Sequence, residues 1–173
     1  QIVQEALQSK PDNDQDIFKF LKDEGEAFYK KSPENAKLKW RVRERQCHVF
    51  NIDVKGRIIL DGQEIAKEDL KEIVKKRIVE NKRRTKQEKN IEEVQLVGVL
   101  YAKDTPQSLL VEVLTILKDA FVEIRTDIAK TSGNNSKEYL DGQFPILITP
   151  DEVKEERKLH ASSNKENTKS SNI

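Results

Sequence analysis

Two periodicities of apolar and polar residues run along the chain, and each marks a different kind of element. From Val94 to Tyr101 the residues are almost continuously branched or aromatic, which predicts a strand covered on both faces. From Leu109 onward the apolar positions are Leu110, Val113, Leu114, Leu117, Phe121, Ile124 and Ile128, spaced by three and four as on one helix face. Glu112, Lys118, Glu123 and Arg125 fall between them, and that pattern assigns them to water. The segment Ala102-Lys103-Asp104-Thr105-Pro106 separates strand from helix. Asp104, Thr105 and Pro106 are read as a structural turn and helix cap. A side-chain oxygen of Asp104 or Thr105 is expected to accept from first-turn amides, and Pro106 sits where its missing donor costs nothing.

Strict alternation appears earlier, with Phe50, Ile52 and Val54 on one face and Asn51 and Asp53 on the other. Lys55-Gly56 supplies a turn into Arg57-Ile58-Ile59-Leu60, and Asp61-Gly62 ends that second strand, giving a hairpin. Ile65, Leu70, Ile73, Val74 and Ile78 then predict a helix from about Lys67 to Asn81. After the loop at Thr131 to Ser136 comes a short turn around Tyr139 to Gly142. Phe144, Ile146 and Ile148 alternate as a last strand, which Pro145 places at a sheet edge. The polar N-terminal region has one helical pattern, at Ile17, Phe18, Phe20, Leu21, Ala27 and Phe28. Asp14 or Asp16 is its expected cap, and it ends near Ser32-Pro33.

The order β-β-α-β-α-β predicts an α+β fold: one small sheet with two helices packed on one face, plus an N-terminal helical arm. The chain divides into an arm or linker at residues 1–46, a domain at 47–150 and a polar tail at 151–173. Its 173 residues, 35% hydrophobic and 36% charged, hold one domain of roughly 100 residues with polar extensions.

Charge and chemistry narrow the functions. Lys and Arg number 32 against 31 acidic residues, so a net charge of +1 gives no global attraction to nucleic acid or anionic lipid. Lys75, Lys76, Arg77, Lys82, Arg83, Arg84, Lys86 and Lys89 form a local basic cluster. Such a cluster suits either phosphate binding or a solvated helix end followed by a polar loop. No aromatic residue is interleaved, which favours the helix end, and no nucleic-acid partner is expected.

The lone Cys47 has no disulfide partner in the chain, and neighbours such as Cys47 and His48 point to opposite faces of a strand. His160 is remote, so no metal-ligand spacing arises. With scattered glycines and no nucleophile, base and orienter in sight, neither catalysis nor a cofactor is expected. No apolar run reaches the roughly 20 residues of a membrane span. The chain opens Gln-Ile-Val and contains no methionine, so an upstream segment is expected.

Two blocks carry a family resemblance. Val49-Phe50-Asn51-Ile52-Asp53-Val54-Lys55-Gly56-Arg57-Ile58-Ile59-Leu60-Asp61-Gly62-Gln63-Glu64-Ile65 resembles the opening hairpin of the periplasmic domain in the ExbD/TolR biopolymer-transport family. Val97 to Leu117, a strand ending in Ala102-Lys103-Asp104-Thr105-Pro106 and opening an amphipathic helix, is similar to that family's second strand-to-helix step. The ending Gln143-Phe144-Pro145-Ile146-Leu147-Ile148 fits its last strand, and the charged stretch after the first helix resembles longer Bacteroidetes variants.

The resemblance implies a non-enzymatic periplasmic domain of an inner-membrane motor driven by the proton motive force. It implies a homodimer working with an ExbB/TolQ-like channel protein and a TonB- or TolA-like partner, or gripping peptidoglycan. The transmembrane helix would lie upstream, and the family's proton-responsive Asp with it. The expected mode of contact is strand addition at an exposed edge, placed at Phe144, Ile146 and Ile148. The alternative is a soluble adaptor or nucleic-acid-associated module using Lys75 to Lys89.

Overall fold

The computed structural model describes residues 16–41, 47–89 and 94–153. The fold is mixed α+β with a single open sheet and an N-terminal helical region. In chain order the elements are α1 (Asp16–Tyr29), α2 (Pro33–Arg41), β1 (Cys47–Ile52), β2 (Ile58–Leu60), β3 (Gln63–Ile65), α3 (Lys67–Lys89), β4 (Leu96–Ala102), α4 (Gln107–Ser132), α5 (Lys137–Gln143) and β5 (Ile148–Val153).

The strands lie in the order β3-β2-β1-β4-β5. β1 pairs antiparallel with β2 and parallel with β4, and β4 pairs parallel with β5. This register places Phe50, Leu60 and Val99 on one face, together with Ile52, Ile58, Val97 and Ile148. That face is the core. It meets Leu70, Val74 and Ile78 of α3 and Leu110, Val113, Leu114, Leu117, Phe121 and Ile124 of α4 in one cluster, so both long helices cover the same side. Full burial of a side chain such as Phe121 contributes about 1.5–3 kcal/mol.

α3 and α4 run in the same direction, as their ion pairs show. Lys67 meets Glu112 at 2.9 Å, Lys71 meets Glu123 at 3.1 Å, and Lys75 reaches Asp127 at 3.9 Å. These pairs are solvent-screened and set the register of the two helices more than they add to stability.

Several boundaries differ from the sequence expectation. Asp61 and Gly62 do more than stop a strand: both have positive φ, 52° and 80°, and turn the chain back so that β3 pairs with β2. An Asp-Gly step of this kind matches the twist of a tight hairpin. α3 continues to Lys89, so most of the expected polar loop is helix.

α4 starts at Gln107 with Pro106 in the N-cap position and no side-chain hydrogen bond, so neither Asp104 nor Thr105 caps it. The stop is made by backbone, through the Thr105 amide donating to the Ala102 carbonyl at 3.0 Å. At the other end, Gly133 closes α4 in the left-handed conformation, its amide donating to the Ala129 carbonyl. The expected turn around Tyr139 is the helix α5, capped by Ser136 Oγ accepting from the Tyr139 amide at 3.2 Å.

The last strand is displaced. Phe144 to Leu147 form a buried lead-in, and pairing runs from Ile148 to Val153, into the first residues assigned to the tail. α1 is equally part of the body, because Ile17 and Leu21 enter the main core. Phe28 joins Leu96 and Leu147 in a second cluster, with Leu38 of α2 against it. The expected capping side chains of Asp14 and Asp16, the packing of Cys47, and the tail beyond Val153 lie outside the described residues.

Candidate partner-binding site

β5 is the terminal strand of the sheet, and among the described residues no strand pairs with its outer side. Pro150 lies within it, opposite Val99, a position an edge strand accommodates because one side of it makes no ladder bonds. An edge of this sort presents main-chain donors and acceptors to any extended chain that approaches.

α1 forms a wall beside the start of this edge. Phe18, Leu21, Lys22, Gly25, Glu26 and Tyr29 recur along one helix face and, with Leu147, Ile148, Thr149 and Pro150, line a groove of about 360 Å³. The volume lies within the roughly 300–1,000 Å³ typical of ligand sites. Gly25 opens the middle of the wall: a β-carbon there would have Tyr29 Cε2 as its neighbour at 3.6 Å, with no backbone in the way. Lys22 and Glu26 supply the wall's charges, and Asp151 and Glu152 follow along the strand.

The residues expected to contact a partner are placed otherwise. Phe144, Ile146 and Ile148 are 6%, 3% and 3% exposed and belong to the main core. The side chains of Phe144 and Ile146 fill the protein's own interior, so a partner could reach them only by opening the fold. Ile148 alone touches the groove. The groove at this edge is lined by α1 side chains together with Leu147 to Pro150, and α1 lies outside the segment carrying the family resemblance.

Two cations hold the entrance to β5. Arg125, on α4, donates through Nε to the Phe144 carbonyl at 2.8 Å and pairs through Nη2 with Asp141 at 2.9 Å. Burial lowers its pKa, opposed by the Asp141 carboxylate and, more weakly, Glu24. Lys82, on α3, donates to the Gln143 carbonyl and lies 4.2 Å from the centre of the Phe144 ring. Positive charge is favourable here because α5 ends with free carbonyls. Lys118 is buried as well, its amine 3.0 Å from Asp119. Helical spacing points both Arg125 and Lys118 to water, yet both are buried, each beside an acidic partner.

At least three of the eight cations in the basic stretch of α3 are ion-paired within the protein. Lys75 meets Glu72, Glu123 and Asp127, Arg77 meets Asp61 at 3.0 Å, and Arg83 meets Glu80. At the same end of the parallel strands, in the row of His48, Val97 and Ile148, His48 Nε2 and Asn81 Nδ2 both donate to Gln95 Oε1, each at 2.8 Å. Burial lowers the His48 pKa, the Gln95 bond opposes that shift, and the charge of Arg77 adds to it.

Among the described residues no cluster of His, Cys, Asp and Glu could hold a metal ion, and no helix is long and apolar enough to cross a membrane. No family model, curated protein or solved structure matches the chain.

Proposed function

We propose that the chain is a non-enzymatic, partner-binding periplasmic domain of an inner-membrane motor driven by the proton motive force. Its role is to couple energy to outer-membrane transport through a TonB- or TolA-like protein. In this reading a transmembrane helix upstream anchors the domain beside an ExbB/TolQ-like channel, and two copies act together. Peptidoglycan is a further surface such a domain can grip.

The observation that carries the reading is the β5 edge beside the α1 groove, which offers main-chain bonding and apolar pockets to an extended segment. Supporting it is the resemblance at Val49 to Ile65 and Val97 to Leu117, whose hairpin, strand and helix occur in the order the family has. The ion pairing of Lys75, Arg77 and Arg83 weighs against a nucleic-acid module built on that segment.

Protease treatment of spheroplasts containing the full-length protein tests the placement. Digestion of this domain from outside, with the inner membrane intact, is the expected result. Protection until the membrane is lysed would place the domain in the cytoplasm and end the proposal.

A further inference from the structure

The register of β5 divides its main chain between two sides. The Val97 amide donates to the Leu147 carbonyl at 2.9 Å, and Val97 lies opposite Ile148 in a parallel pair. In a parallel ladder this turns the main-chain groups of Thr149 and Asp151 towards β4 and those of Ile148, Pro150 and Glu152 to the outer side. Pro150 has no amide to give. The outer edge therefore offers a donor and an acceptor at Ile148 and at Glu152, and an acceptor alone between them.

A second copy of the chain is the partner that this pattern penalises most. Two β5 strands paired antiparallel about a two-fold axis overlap most fully when Pro150 lies opposite Pro150. The central rung then holds two facing carbonyls and no donor. A foreign strand with an ordinary residue at that rung still donates its own amide to the Pro150 carbonyl, so only one bond is lost.

Side chains add to the bias. Directly opposed residues point to the same face of a sheet, so the two-fold pairing puts Glu152 of one copy beside Ile148 of the other. Ile148 lines the groove with Phe18, Leu21 and Glu26, and a second carboxylate would be brought to this mostly apolar site.

We infer that Pro150 and Glu152 guard the outer edge of β5 against pairing with a second copy of this chain, which keeps that edge free for a foreign extended segment. Proline and charge on an edge strand are common means by which sheets avoid joining one another. The foreign segment is that of the edge-binding reading above, on which this inference rests for its occupant. In that reading the two copies of the motor meet through a surface other than β5.

Sedimentation equilibrium of the parent, of Pro150→Ala and of Pro150→Ala combined with Glu152→Val tests the guard. Amide exchange at Ile148 and at position 152 is followed in parallel, and unchanged exchange at Val97 and Val99 in the monomers shows that the sheet is kept. Dimerisation is expected to tighten by about tenfold or more at each step from parent to single to double variant, with the amides at 148 and 152 slowed in the dimer.

Equal self-association of the three proteins would overturn the inference, as would dimers whose amides at 148 and 152 exchange as in the monomer. A parent already dimeric with those amides protected would overturn it too. Each of these outcomes leaves the spheroplast digestion, and so the reading which that experiment tests, unaffected.

Discussion

Arg125 donates from α4 to the carbonyl of Phe144, 19 residues further along the chain, and the same guanidinium pairs with Asp141. One buried cation thereby fixes where α5 ends and where the lead-in to β5 begins. Arg125→Met keeps most of the volume but removes the donor to the Phe144 carbonyl and leaves Asp141 with Lys137, 2.6 Å away, as its remaining ion-pair partner. Loss of one member of such a pair costs about 3–5 kcal/mol. Urea unfolding is expected to show a loss of that order, and a change below about 1 kcal/mol would mean the pair is not structural.

Ile146 is a core residue and a poor probe of binding. Ile146→Ala is expected to destabilise the chain by about 2–4 kcal/mol in chemical denaturation, as truncations of buried isoleucines do. Thr149→Lys, on an exposed edge position, is expected to stay within about 0.5 kcal/mol of the parent. Equal stability of the two variants would contradict the placement of β5.

α1 is expected to behave as part of the domain. Leu21→Ala removes a side chain that is 2% exposed within the main core, and should lower stability by about 2–4 kcal/mol. The whole chain should lose it in a single transition. A separate, earlier transition for α1 with an unchanged main transition would make it a detachable arm.

The His48 network gives stability a pH dependence with a definite sign. Burial lowers the histidine's pKa in the folded state, so the unfolded chain takes up that proton first. The associated stability is fully present above the ordinary value near 6.5 and declines as pH falls from there towards the lowered one. Unfolding midpoints compared at about pH 7.5 and about pH 5.5 should fall more for the parent than for His48→Gln. Identical losses in the two proteins would show that another group is responsible.

What was legible in the sequence is what short-range periodicity encodes. The core face of α4 and the alternation of Phe50 and Ile52 against Asn51 gave the α+β class and the element order, because each is set by residues a few positions apart. The Asp61-Gly62 step was visible too, and its positive-φ chemistry could have revealed β3.

Longer-range relationships were not legible. Arg125 sits at a spacing that reads as solvent-facing, and only Asp141 and Phe144, brought close by the α4 to α5 turn, make its burial tolerable. Phe144, Ile146 and Ile148 alternate as a strand does, yet pairing begins only at Ile148. The register is set by β4, where Val97 faces Ile148, and no local pattern reports it. The groove was missed for the same reason, since its two walls lie more than 100 residues apart in the chain.

The most direct test of the account places a photoreactive benzoylphenylalanine at Thr149 of the full-length protein in living cells. Crosslinking to a TonB- or TolA-like inner-membrane protein, reduced when a protonophore collapses the proton motive force, is the result this account predicts. Crosslinks confined to cytosolic proteins or nucleic acid, or a membrane-protein crosslink indifferent to the protonophore, would contradict it.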